Sequence, residues 1–159
     1  MEALIKNYYN NIFAYIVRRI GKYEIAEDLT QETFLRLVKG ITTYKPIGKF
    51  SNFIFTIAVN VCNDYYRKNN MLLIDGDIDL LINNNTTDDA IGKWENTTDI
   101  KNVIDLLPGM QKEALILRYF HDMKIKDIAQ VTNASVPTVK SRLNQGLNKL
   151  RKLLGSDDI

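Results

Sequence analysis

Hydrophobic positions along this chain recur at steps of three and four residues, the period of an amphipathic helix. The clearest stripe is Val136, Val139, Leu143, Leu147, Leu150 and Leu154, and it must face a core. The opposite side carries Thr138, Lys140, Ser141, Asn144, Gln145 and Lys149. Ser135 stands where an N-cap is needed, and Pro137 is tolerated in a first helical turn. A shorter helix is predicted over about Lys124–Val131, followed by a turn through Thr132, Asn133 and Ala134. Small Ala129 permits the two helices to approach closely. The pattern is a helix-turn-helix, the arrangement that holds a second helix proud enough to enter a major groove. An ordinary helical hairpin with a solvated face has the same pattern.

The same period predicts the other helices. Leu4, Tyr8, Ile12, Ile16 and Ile20 recur every four residues, giving a helix over Glu2–Ile20 that Gly21 stops. Arg18 and Arg19 suit its negative end. A second helix runs over Tyr23–Val38, with Ala26, Leu29, Thr33 and Leu37 inward and Phe34 and Val38 beside them. That leaves Asp28, Gln31, Glu32 and Leu35 outward, a carboxylate and amide patch with an apolar edge. Such a patch suits protein docking, and equally a solvated helix face. Residues 40–49 form a loop, in which Tyr44, Lys45 and Lys49 are candidates for nucleic-acid contact or for surface decoration. A third helix starts from Ser51 as N-cap, with Phe50 and Phe55 as a hydrophobic staple, and continues to Lys68. Phe53, Ile54, Ile57, Ala58, Val61, Cys62 and Tyr65 cover its buried face. Asn52, Thr56, Asn60, Asn63, Tyr66 and Arg67 share the other side, a mixture able to stack on and hydrogen-bond unpaired bases. Helices over Asp99–Leu107 and Met110–Phe120, separated by Pro108 and Gly109, add Ile104, Leu107, Met110, Ala114, Leu117 and Phe120 to the core of the helix-turn-helix. The expected fold is all-α: two small helical domains, 1–70 and 100–159, joined by a linker over 71–99.

Charge sharpens this division. The net charge of the 159 residues is only +2, which is modest for a nucleic-acid binder. Its distribution says more: residues 71–100 carry one basic and seven acidic groups, whereas 101–159 carry ten basic and six acidic. From Val136 to Leu154 there are five basic residues and no acid. Lys and Arg there can neutralise phosphates, and Thr, Ser, Asn and Gln can reach base edges. Composition is that of a soluble globular protein, with 45% apolar and 25% charged residues. No apolar run is long enough to span a bilayer and no signal peptide is recognisable, so a cytoplasmic protein without membrane insertion is expected. The single Cys62 reads as a buried thiol in a reducing compartment. His121 beside Asp122 offers too few ligands for a metal and reads as a surface or turn residue. No phosphate loop or cysteine cluster is present. No cofactor, no small-molecule substrate and no enzymatic activity are expected.

Three stretches carry a family resemblance. AEDLTQETFLRL (Ala26–Leu37) resembles region 2.2 of bacterial sigma factors of the extracytoplasmic-function (ECF) type, KFSNFIFTIAVNVCNDYYRK (Lys49–Lys68) resembles regions 2.3 and 2.4, and Leu107–Leu154 resembles region 4. Their order and separation match as well, so the resemblance covers nearly the whole chain. It implies an alternative sigma factor that binds core RNA polymerase and directs initiation through two promoter elements. Asp28, Gln31, Glu32, Phe34 and Leu35 would then dock on the clamp helices of the largest subunit. Asn60, Asn63, Asp64, Tyr66 and Arg67 would meet the −10 element. Thr138, Lys140, Ser141, Arg142, Asn144 and Gln145 would meet the −35 element, in a domain that also touches the flap tip of the second-largest subunit. An anti-sigma factor is a further expected partner.

The chain departs from the family pattern at four places. Phe53 stands for the usual Trp, Val59 for a common Arg, and Gln145–Gly146 for a frequent Arg-Ala pair. Gly146 should cost about 1 kcal/mol of helix propensity relative to Ala. The linker is long enough to let the two domains reach both elements. Its 29 residues (71–99) extend to about 96 Å, against roughly 58 Å for a spacing of about 17 base pairs. Its acidity is expected to discourage DNA binding by the chain alone. The competing readings are a helix-turn-helix regulator acting without polymerase, and a sigma-like adaptor that does not initiate.

Overall fold

The structure is a computed structural model that describes residues 2–40, 49–69 and 103–155. Among them six helices follow in order: α1 (Glu2–Ile20), α2 (Tyr23–Gly40), α3 (Phe50–Lys68), α4 (Gly109–Leu115), α5 (Ile125–Val131) and α6 (Val136–Leu154). The stretch 71–99 expected as an acidic linker, and the loop positions Tyr44 and Lys45, lie outside the described residues.

α1 and α2 form a hairpin closed by Gly21. Its φ of +82° is one that L side chains avoid, and its N–H donates to the Val17 carbonyl at 2.8 Å. Ile12 and Ile16 from α1, Ala26 and Leu37 from α2, and Ile54, Ala58 and Cys62 from α3 belong to one core cluster that continues into the C-terminal helices. Burial pushes the Cys62 thiol up to about 12, so it is an inert packing group. Thr30 and Thr33 are buried too. Their hydroxyls donate to the carbonyls of Ala26 and Leu29 at 2.6 and 2.8 Å, which satisfies them inside the helix. Val38, expected beside the inward set, is 66% exposed. It lies three residues after outward Leu35 and shares that stripe.

In α3 the N-cap stands two residues earlier than expected. Lys49 is its N-cap and makes no side-chain cap, so Ser51 does not cap and no Phe50–Phe55 staple forms. Phe50 is drawn into the helix by its ring, which stands edge-on to Tyr8 at 5.3 Å. Phe55 is buried instead between Tyr15 and His121, at 5.9 and 5.2 Å between ring centroids.

The helix-turn-helix forms where the pattern placed it. Ser135 Oγ accepts the Thr138 N–H at 3.2 Å, Pro137 sits in the first turn, and Gly155 at φ +62° ends α6. Asn133 takes a left-handed φ of +53° in the turn, and Ala134 N–H reaches back to the Ala129 carbonyl at 2.9 Å. Val139, Leu143 and Leu150 are buried against Leu107, Ala114, Leu117, Ile128 and Val131. Val136 and Met110, assigned to this core, are exposed. Both lie in the first turn of their helices, beyond the partner helix that covers the rest of the stripe. The helix expected over Met110–Phe120 starts at Gly109 and widens into a π turn over Ile116–Phe120.

Gly146 has a packing reason that its position in the sequence hides. A Cβ there would stand 2.9 Å from Leu115 Cδ1 and 3.3 Å from its Cγ, so the missing side chain is what lets α6 lie on α4. Gly146→Ala would gain about 1 kcal/mol of helix propensity. It would lose about 1–3 kcal/mol to overpacking, because Leu115 is itself buried. The expected outcome is a lower urea midpoint; an unchanged or higher one would mean that Leu115 yields freely.

Candidate polymerase and nucleic-acid interfaces

Two faces are open to solvent and one seam is closed. On α2, Asp28, Gln31, Leu35 and Val38 follow one outward stripe at steps of three and four. Leu35 is 50% exposed and Tyr23, at the start of the helix, 63%. Two neighbours of this stripe have work within the fold. Phe34 packs on Tyr9 at 5.4 Å, and Glu32 accepts from Arg36 Nε at 3.0 Å. Arg36 also reaches Asp64 on α3 at 3.0 Å, and Asp64 takes Arg67 at 2.9 Å. A chain of charges therefore runs from the α2 face to the C-terminal half of α3.

The residues expected on the −10 face of α3 are placed unequally. Asn60 and Arg67 are exposed. Asp64 is held by the two arginines. Asn63 Oδ1 accepts from Arg19 Nη2 at 2.6 Å, and the Tyr66 hydroxyl donates to the Arg19 carbonyl at 2.8 Å. Burial pushes the Tyr66 phenol up to about 12, so it stays a neutral donor.

On α6, Thr138, Lys140, Ser141, Asn144 and Gln145 are exposed and Arg142 is partly so. Gln145 is steadied by Gln111, whose Nε2 donates to it at 3.0 Å. With no carboxylate on the helix, its outer face presents cations and neutral hydrogen-bonding groups together.

The closed seam lies between the two halves. Arg19, expected to interact with its own helix end, is fully buried, and its Nη1 meets Glu113 Oε1 of α4 at 3.1 Å. The Tyr15 hydroxyl donates to the same Glu113 oxygen at 3.1 Å. Burial works against the charged guanidinium, but Tyr15 and Glu113 hold it protonated. Lys112 donates to the Arg19 carbonyl at 2.8 Å. A second tie joins α3 to α5. Asn52, expected on the outer side, is buried and donates to Asp127 at 2.9 Å and to Gln130 at 3.1 Å, while Lys49 reaches Asp127 at 3.2 Å. Burial would raise the Asp127 carboxyl; the bonds from Asn52 and Lys49 outweigh it and hold the group below the usual range. His121, expected as a surface or turn residue, packs on Tyr15 and Phe55. Burial, helped by the Arg18 charge, lowers it to about 4, so the imidazole is neutral.

Comparison with known proteins matches the sigma-70 region 2 family to residues 4–71 and the sigma-70 region 4 family to residues 98–150. The ECF RNA polymerase sigma factor EcfG of Rhodopseudomonas palustris is 31% identical over 91% of this chain and 79% of its own length. This chain belongs to the ECF sigma factors. A second relative, the ECF sigma factor SigW of Bacillus subtilis, is 26% identical over 95% of the chain and 87% of its own length. The fold is that of the sigma factor RpoE of Bartonella quintana, solved with the anti-sigma factor NepR. That match has a TM-score of 0.75 at 19% identity over 98% of this chain and 97% of that one.

As an ECF sigma factor, the protein is a promoter-recognition subunit that acts with core RNA polymerase on promoter DNA. Sigma factors recognise DNA rather than catalyse a reaction. No described helix is long and apolar enough to cross a membrane. Sequence reasoning missed the seam residues Tyr15, Arg19, Asn52, Glu113 and Asp127, and it missed Val38 and Tyr23 beside the α2 face. Val38 was within reach, since its step from Leu35 is helical. So was Arg19, three residues after buried Ile16. The partner of Arg19, 94 residues away, was not.

Proposed function

We propose that this sigma factor divides its labour between the two halves. Residues 1–70 bind core polymerase and the −10 element, 71–99 connect, and 100–159 bind the −35 element. The observation that carries the reading is the α6 face. Its Thr138, Lys140, Ser141, Asn144 and Gln145 project into solvent from a rigid helix-turn-helix, with no acid among them. Such a face neutralises phosphate through Lys140 and Arg142, and its amides and hydroxyls reach base edges. In the other half, Asp28, Gln31 and Leu35 offer the clamp helices a polar patch with an apolar edge, supported from below by Glu32 and Phe34. Asn60 and Arg67 are the directly accessible residues of the −10 face; Asn63, Asp64 and Tyr66 are held in place by Arg19 and Arg36. The Ala26–Leu37 block on α2 argues against a regulator that works without polymerase, which would have no use for that docking helix.

The flap tip of the second-largest subunit is a further contact of the C-terminal half. An anti-sigma factor is the expected regulator, as the similar Bartonella protein is held by NepR. The protein would act in the cytoplasm.

Run-off transcription tests this reading: added to core polymerase and a genomic promoter library, the protein should produce transcripts with defined starts. Binding to core without initiation would leave only an adaptor. Lys140→Ala separates the surfaces. It should weaken −35 duplex binding, reduce the slope of log affinity against log salt by about 1, and leave core affinity unchanged. Equal loss of core affinity would contradict the division.

A further inference from the structure

α4 buries a polar side chain and leaves an apolar one in water. Gln111 is 3% exposed, whereas Met110 beside it is open to solvent. Gly146 makes room for it, since a Cβ there would stand 3.6 Å from Gln111 Cβ. One end of the buried amide is engaged: its Nε2 donates to Gln145 Oε1 on α6 at 3.0 Å. The other end, Oε1, is buried without a hydrogen-bond partner among the described residues. A bare buried oxygen costs free energy that an apolar side chain of the same shape would not. Packing alone therefore favours a residue such as Met at this place. What the glutamine adds is one donor aimed at Gln145. Turned over, its amide would bury N–H groups where Oε1 now stands, and buried donors go unpaired more rarely than carbonyl oxygens.

That donor decides what Gln145 can show to DNA. Gln145 is exposed, on the side of α6 that carries Ser141 and Lys149 four residues before and after it. A free glutamine amide has an acceptor at one end and donors at the other, and it can turn either way. Both ends together make the bidentate pair with adenine, which offers N7 as acceptor and N6 as donor. Here Oε1 is turned inward onto Gln111, so Nε2 and its hydrogens face outward. Donors alone suit guanine, whose N7 and O6 both accept. They do not suit the N6 amino group of adenine or the N4 amino group of cytosine, which donate.

We propose that Gln111 is a positioning residue for promoter reading: it holds the Gln145 amide with its donors outward, so that Gln145 selects guanine at one base pair of the −35 element. The proposal rests on the −35 reading of α6 above, and its test separates the two. Duplexes randomised over the −35 element are selected by the full chain with core polymerase. The base pair in question is the one whose preference Gln145→Ala abolishes. There the unaltered chain should favour guanine over adenine by about fivefold or more. Gln111→Met keeps the shape and removes the donor. Its urea midpoint should not fall, because the bare oxygen goes too, yet the preference at that base pair should swing towards adenine while the other positions keep theirs. A role in packing alone would not move one base pair and spare the rest. In a Gln145→Ala background, Gln111→Met should leave the profile as it is. A guanine preference that survives Gln111→Met, or an adenine preference in the unaltered chain, overturns the positioning and leaves the −35 reading standing. A profile with no base preference anywhere overturns both. If Gln111→Met does not fold, Gln145→Ala at its exposed position decides: the side-chain amide resonances of Gln111 should shift and the guanine preference should vanish. The absence of either overturns the proposal.

Discussion

Arg19→Met alone is expected to uncouple the two halves, at a cost of about 3–5 kcal/mol to their union. The reason is what it leaves behind. Glu113 is 3% exposed and takes both the Arg19 guanidinium and the Tyr15 hydroxyl on one oxygen. Without the guanidinium it must hold an unpaired negative charge away from water, take up a proton, or swing into water, and the last opens the seam. Pairing the change with Glu113→Leu removes the stranded charge, and the double variant should recover most of the loss. Hydrogen exchange resolved by segment reads this directly. α1 and α4 should lose protection together in the single variant and regain it in the double. If the single variant costs less than about 1 kcal/mol, or the double variant costs as much as the single, the ion pair does not hold the seam.

How much of this was legible in the sequence depended on whether a residue answers to its own helix. The α6 stripe, the Ser135 cap, the Gly21 stop and the boundaries of α1 and α6 all follow from local spacing, and local spacing can be read. The placement of Ser51 could not, because the start of α3 is decided by Phe50 packing on Tyr8, some forty residues earlier in the chain. Gly146 looks like a propensity cost and proves to be a close-approach site, a fact about Leu115 on another helix. The seam was the least legible feature of all. Arg19, Asn52 and Asp127 are polar residues at positions where polarity ordinarily signals solvent. Partners in the other half, joined for Arg19 by Tyr15 and Asn63 of its own half, explain their burial. The region 2 and region 4 stretches identified the family, but how the two halves sit on one another depends on contacts between distant parts of the chain.

The second large effect is expected at Leu35. It is half exposed on the α2 stripe between Gln31 and Val38, and Glu32 and Phe34 beside it are engaged by Arg36 and Tyr9. An apolar residue that stands out of a folded domain on such a stripe costs little to change in the free protein, so Leu35→Arg should alter stability by no more than about 0.5 kcal/mol. In the complex it would bring a cation, with its hydration, to the centre of the contact. Central apolar anchors carry a disproportionate share of binding energy, commonly about 2 kcal/mol or more each. A loss near 2.7 kcal/mol corresponds to about a hundredfold weaker affinity for core polymerase. Asp28→Ala with Gln31→Ala should act in the same direction and more weakly, since both side chains are already well hydrated when free. Titration of labelled protein with core polymerase, without DNA, isolates this step from promoter recognition, and −35 duplex binding by the Leu35→Arg chain should be unchanged. A loss of core affinity smaller than about threefold, or under about 0.7 kcal/mol, would mean that polymerase docks elsewhere and that the apolar edge of α2 serves another partner.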